Sequence, residues 1–254
     1  MPDARIGTSG WHYKHWGGGI FYPEGVKTSD WLRRFAGFFD TVEINNTFYH
    51  LPQEETFEKW RNSVPEGFKF AAKASRFITQ MKRLKEPEKT IPKFLNRAAL
   101  LGPCLGPVLF QLPPTFGFDR ERLRGTLDYL SSQEIVPEAE ISFEFRHPSW
   151  LRDETYEMLE QHGAALCLSD MGSCPVTEPL ESGFVYVRRH GPAEKYAGCY
   201  SEDQLAKDAE RVHGWTAEGR SVYVYFNNDI EGYAVRNALR LKQLVREREE
   251  RHGG

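Results

Sequence analysis

No stretch of the sequence approaches the roughly 20 consecutive apolar residues that span a bilayer. The opening MPDARIGTSGW lacks the basic-then-apolar pattern of a secretory signal. The expectation is a cytoplasmic chain with no membrane partner. Cysteine is scarce: Cys104, Cys167, Cys174 and Cys199 form no C-x-x-C pair, which argues against a thiolate zinc site, a redox motif and, without an export signal, disulfides. Positive charge is not in excess either. The 33 Lys and Arg against 36 Asp and Glu leave a net charge of −3, which excludes a broad basic surface for nucleic-acid phosphates but not a local basic pocket. There is no low-complexity tract, no His-x-x-x-His pair, and the glycines at 17–19 lack the spacing and lysine of a phosphate loop.

What is present is a chain of 254 residues, 40% hydrophobic and 27% charged, in the range of globular proteins and close to the roughly 250 residues of a (β/α)₈ barrel. Strand-like runs occur at 5–9, 41–45, 68–73, 108–111, 140–146, 166–170, 184–188 and 221–227, and helical patterns at 29–39, 54–63, 91–101, 120–130, 151–162, 204–216 and 234–248. Ser29 or Asp30 is placed to cap the first helix, Pro92 suits a first turn and Gly163 a C-terminal stop. Alternation of strand and helix implies right-handed βαβ units and a parallel sheet. The fold class is therefore α/β, one TIM-like (β/α)₈ barrel over residues 1–254. Residues 171–183, with two prolines and no helical period, predict an irregular connection between the sixth and seventh strands. An open doubly wound sheet is the alternative.

Residues two apart in a strand share a face. Thr41, Glu43 and Asn45 oppose Val42 and Ile44; Ser142, Glu144 and Arg146 oppose Ile141, Phe143 and Phe145. Tyr186, Arg188 and His190 oppose Val185, Val187 and Arg189; Tyr223, Tyr225 and Asn227 oppose Val222, Val224 and Phe226. The apolar face must meet the helices, so the polar face lines the barrel. Unpaired buried polar groups cost about 1–3 kcal/mol each, and a functional site accounts for so many better than chance does. The competing account is an ion-pair lattice that only fills the barrel, although ionic cores are poor sources of stability.

Strand C-terminal ends form the active face of such barrels. Here they carry Ser9, Trp11, Glu43, Asn45, Lys73, Gln111, Glu144, Arg146, Asp170, Arg188, His190 and Asn227. Lys73, Arg146 and Arg188 count as permanent cations, and two of them are arginines whose planar forks match phosphate or carboxylate. They predict an anionic small-molecule substrate, with Glu43 and Glu144 as base and acid and His190 able to titrate near neutrality. Tyr13, Trp16, Tyr49, Trp150 and Tyr200, in loops beside these ends, would stack on a sugar or base, as would Trp11; packing as a lid over the mouth is the alternative for each. No cofactor is expected. Glu43, Glu144 and Asp170 could hold Mg²⁺ or Mn²⁺ through oxygen, but a single strand-end histidine is a poor basis for a zinc cluster.

The motifs IGTSGWHYKHWGGGIFYP, VEINNTFYHLP, FKFAAKASRFIT, LFQLPPTF, ISFEFRHPSW, VYVRRHGP with YAGCYS, and YVYFNND with YAVRNALRL, in this order, resemble the YecE-like family, the domain of unknown function numbered seventy-two. The likeness runs from residue 6 to about 244. It implies a TIM-like barrel and supplies no activity. The function expected from the residues is an enzyme acting on an anionic small molecule, such as a phosphorylated sugar or nucleotide, by acid/base chemistry. The alternatives are a metal-dependent phosphodiesterase or nuclease resembling endonuclease IV, and a non-catalytic binder of a nucleic-acid end or nucleotide. The last needs a backbone track, for which Lys82, Arg83, Lys85, Arg188 and Arg189 are the candidates.

Overall fold

Short runs of β-branched and aromatic residues form the strands, as pleated, two-sided surfaces favour. The computed structural model describes residues 3–133, 140–172, 174–192 and 196–252. Its strands are β1 (Ala4–Thr8), β2 (Thr41–Ile44), β3 (Lys69–Lys73), β4 (Leu105–Gln111), β5 (Ile141–Glu144), β6 (Ala165–Leu166), β7 (Leu168–Ser169), β8 (Phe184–Arg189) and β9 (Ser221–Phe226). Every ladder between them is parallel. One sheet runs β2-β3-β4-β5-β6 and the other β7-β8-β9-β1.

β6 and β7 share the place of one expected strand, interrupted at Cys167, whose amide still donates to the Phe143 carbonyl at 2.8 Å. The two sheets therefore follow one another around a common strand position, in the neighbour order of a TIM barrel. Between β1 and β2 no ladder forms among the described residues. The strands nevertheless lie close: a Cβ on Gly7 would stand 2.3 Å from the Thr41 carbonyl oxygen, and Asn45 Nδ2 donates to the Ser9 carbonyl at 3.0 Å.

The helices are α1 (Trp31–Phe35), α2 (Asn46–Tyr49), α3 (Glu54–Arg61), α4 (Pro87–Thr90), α5 (Pro92–Ala99), α6 (Arg120–Ser131), α7 (Asp153–Gln161), α8 (Glu202–Ala217) and α9 (Tyr233–His252). Local chemistry sets their ends. Pro92 opens α5, and Ser201 and Gln204 close a reciprocal capping box on α8. α1 departs from expectation: residues 28–30 form a 3₁₀ turn, Asp30 has helical dihedrals, and its side chain caps nothing, because capping needs the extended backbone that Asp30 lacks. Among the described residues between β7 and β8 there is no helix, and Val176 bridges antiparallel to Ser169.

Two apolar clusters lie where strands meet helices, one around Trp31, Phe35 and Leu241, the other around Phe94, Leu123 and Trp150. A third comes from the opposite strand faces: Ala71, Leu109, Ala165, Cys167, Phe184, Tyr186, Tyr223 and Tyr225. Small and aromatic side chains together fill the interior below the polar strand ends.

Candidate functional site

The inward faces of β2, β5 and β8 bring Glu43, Glu144 and Arg188 together, all at most 1% exposed. Arg188 lies between the carboxylates, with Nη2 2.9 Å from Glu43 Oε1 and Nη1 2.5 Å from Glu144 Oε2. The Tyr186 hydroxyl donates to Glu43 Oε2 at 2.7 Å. Arg146, just past β5, donates from Nε to Glu144 Oε1 at 2.8 Å and from Nη1 to the Tyr196 hydroxyl at 3.4 Å. His190 Nε2 lies 3.4 Å from Glu144 Oε1, and its Nδ1 is 3.3 Å from Asn227 Nδ2. With the Asn227 amide donating to Nδ1, a neutral imidazole carries its proton on Nε2, toward Glu144.

Burial alone would push the Glu43 carboxyl up, but Arg188, then Lys73 and Tyr186, outweigh it and hold it below the usual range. Burial of Glu144 is likewise overcome by Arg188, Arg146 and His190, and its carboxyl lies well below that range. Burial lowers the His190 value against the pull of Glu144, so the ring is neutral at pH 7. Two carboxylates against two guanidiniums leave this group without net charge.

Lys73 then decides the sign of the site. A lysine is expected to be a permanent cation, but here burial makes it a titrating amine. Burial, reinforced by Arg188 and opposed by Glu43 and Glu144, pushes it down to about 7. It is 7% exposed, and among the described residues its Nζ has no hydrogen bond or ion pair. The Phe48 ring lies 4.2 Å from its Nζ, a cation–π contact worth about 0.5–2 kcal/mol to the ammonium, which only partly offsets the burial. Within this charged cluster, Arg188 Nε and His190 Nε2 are also buried without a hydrogen-bond partner among the described residues.

The other expected site residues lie outside this cluster. Asp170 accepts the His190 amide at 2.7 Å on Oδ1 and the Tyr200 hydroxyl on Oδ2; Tyr200 in turn accepts the Gly191 amide at 2.8 Å, so these two brace the loop that begins at His190. Trp11, Tyr13, Asn45 and Tyr49 line a cleft of about 140 Å³, with Tyr49 74% exposed and the Tyr13 hydroxyl tied to the Ser9 carbonyl. Gln111 is buried and bonds the Leu112 carbonyl at 3.0 Å.

Trp16 and Trp150 are not brought to that cleft. Both are fully buried. Trp150 donates to the Phe116 carbonyl at 2.7 Å and stacks on Phe145 at 4.8 Å and 12°, in the helix-side core. Trp16 packs under Tyr13 and Phe21. The structure adds Tyr186, Phe48 and Tyr196 to the expected site residues. Alternation in the sequence already puts Tyr186 on the Arg188 face, and Phe48 and Tyr196 lie in aromatic segments after strands; that Tyr196 meets Arg146 has no sequence signal, because the two come together only in three dimensions.

Residues 5–253 match the family model described as "Protein of unknown function DUF72". The chain belongs to the DUF72 family. The DUF72 protein of Thermotoga maritima MSB8 is 31% identical and superposes with a TM-score of 0.83 over 96% of this chain and 99% of that one. UPF0759 protein YunF of Bacillus subtilis is 24% identical over 94% of each chain. UPF0759 protein YecE of Escherichia coli K12 is 34% identical over 119 residues, 47% of this chain, and the match spans 42% of YecE's own length. A xylose isomerase-like TIM barrel/4-hydroxyphenylpyruvate dioxygenase fusion protein, 15% identical, superposes with a TM-score of 0.53 over 89% of this chain and 42% of that one, a likeness of fold alone. The fold is thus α/β with parallel, TIM-barrel-like strands, in a DUF72 chain. No described helix of this DUF72 chain is long and apolar enough to cross a membrane.

Proposed function

We propose that this chain is an enzyme acting on an anionic small molecule, such as a phosphorylated sugar or nucleotide, by acid/base chemistry at the C-terminal ends of a closed barrel's strands. One observation carries the reading: a buried cluster from four strands that contains Lys73, an amine with no hydrogen bond or ion pair among the described residues, only the Phe48 ring beside it. Ionic lattices that only fill space pair their charges, because an unpaired buried charge is costly. An amine titrating near 7 is instead matched to proton transfer at neutral pH.

The roles follow from the geometry. Arg146, the more accessible guanidinium, holds the anion. Arg188 is occupied by Glu43 and Glu144 and keeps both ionised, so Glu144 is a poor proton donor near neutrality; the carboxylates set the field and orient Arg146 and Arg188. Lys73 moves the proton, and the neutral imidazole of His190 donates a hydrogen bond, fixed by Asn227 and Asp170. The cleft bounded by Trp11, Asn45 and Tyr49 receives the rest of the substrate.

The metal-dependent alternative lacks a gathered donor set among the described residues, Arg188 standing between the two glutamates. The nucleic-acid alternative has less support too, because Arg188 and Arg189 are engaged by carboxylates of Glu43, Glu144 and Asp208. Thermal-shift titration with inorganic phosphate, sugar phosphates and nucleoside monophosphates tests the reading. A ligand at 100 times its Kd stabilises by about 2.7 kcal/mol, so a clear rise in Tm is expected for at least one class and its loss in Arg146→Ala. No shift with any of them overturns it.

A further inference from the structure

Lys73, which moves the proton in the reading above, is also placed to bond to carbon. Among the described residues its Nζ makes no hydrogen bond or ion pair, and the Phe48 ring lies 4.2 Å away. A nucleophilic amine needs a lone pair that no donor occupies. Burial and an adjacent cation are the two environments that activate a lysine for attack on a carbonyl, and Lys73 has both, being 7% exposed and under the repulsion of Arg188 and Arg146. Arg146, the more accessible of the two guanidiniums, is the group that would take the substrate's negative charge.

We propose that Lys73 forms an imine with its substrate, and that the substrate class is an anionic aldehyde or ketone, a carbonyl compound bearing phosphate or carboxylate. This rests on the anion-binding enzyme reading above and narrows it. The neutral amine's lone pair bonds to the carbonyl carbon, and the C=O π electrons pass to oxygen. A proton moves from the new ammonium nitrogen to that oxygen, giving a carbinolamine. The nitrogen lone pair then forms C=N as the C–O bond breaks, and the departing oxygen takes one proton from solvent and leaves as water. The product is a protonated imine whose positive charge faces Glu43 and Glu144. At pH 7 about half of such an amine is unprotonated, on the order of a thousandfold more than for a surface lysine.

The experiment uses the whole chain and two probes, glyoxylate and pyridoxal 5′-phosphate, one small and one large anionic aldehyde. Each is incubated at pH 7, reduced with borohydride, and mapped by peptide mass spectrometry. The expected result is labelling of Lys73 at least tenfold faster than any other lysine by one or both aldehydes, slowed by inorganic phosphate and absent in Lys73→Arg. Labelling confined to other lysines overturns the proposal, whatever the folding state of the variant, because the wild type is read directly. If the wild type then still shows the ligand-induced rise in Tm, the imine falls and the anion-binding reading stands; if that rise is absent too, both fall.

Discussion

Arg188 concentrates the energetic risk of this molecule in one side chain. It is fully buried and pairs two carboxylates that are themselves buried. Removing it leaves Glu43 without an ion pair among the described residues and Glu144 with Arg146 as its guanidinium partner, and breaking a buried pair by deleting one partner costs about 3–5 kcal/mol. Arg188→Met is therefore expected to unfold at much lower urea, and adding Glu43→Gln and Glu144→Gln to it is expected to restore part of the loss. A triple variant less stable than Arg188→Met would show that the carboxylates are held by something other than this guanidinium. Because both folded carboxyls lie below their unfolded values, their contribution is present above about pH 4.5 and declines as pH falls through the folded values. Lys73 works in the opposite direction. Its folded value of about 7 lies below the ordinary 10.5, so between them the unfolded chain binds the extra proton and stability rises with pH, by at most about 1.4 kcal/mol per unit. Below pH 7 both states are protonated and the effect is flat. Urea unfolding at pH 7.0 and about 8.5 should thus show the wild type gaining on Lys73→Met; a constant gap would contradict the buried titrating amine.

At the scale of elements, two contacts decide whether the strand ends face each other. Gly7 lets β1 approach β2, since any Cβ there would meet the Thr41 carbonyl oxygen at 2.3 Å. Backbone on both sides leaves no flexible atom to give way, so Gly7→Ala should cost about 1–3 kcal/mol by overpacking, or roughly 2–12 °C in Tm for a chain of this size. An unchanged Tm would mean that the β1–β2 approach is looser in solution. The capping box of α8 is the second contact. Ser201 accepts the Gln204 amide, directly after Tyr200, which is tied to Asp170. Ser201→Ala should cost about 1 kcal/mol by calorimetry, while Ser201→Gly should cost only about a few tenths; equal losses would place the effect outside the cap.

At the scale of the whole molecule, the two helix-side cores belong to different parts of one strand order, and the segment 165–169 belongs to both sheets. Cys167 donates to Phe143 on one side, while Ser169 pairs with Arg188 on the other. A shared strand should make the halves unfold together. Hydrogen exchange in mild urea is expected to give β4 and β9 the same opening free energy, as core elements exchange through global unfolding. A lower value for one sheet would show separable halves.

Period-two alternation in 41–45, 141–146 and 185–190 was enough to place Glu43, Glu144 and Arg188 on inward faces, because successive side chains in a strand must point to opposite sides. The strand–helix order was legible for the same reason, apolar faces having only helices to meet. The glutamates' low values, the neutral His190 and the unpaired Lys73 were not, because a pKa depends on which charges lie within a few ångströms and how much water is excluded. Trp16 and Trp150 show the same limit from the other side: a ring beside a strand end in sequence can turn into the core or toward the mouth, and only packing chooses. The sequence by itself determined the faces and their order; the tertiary structure decided the partners, because burial and charge proximity arise only when distant strands meet.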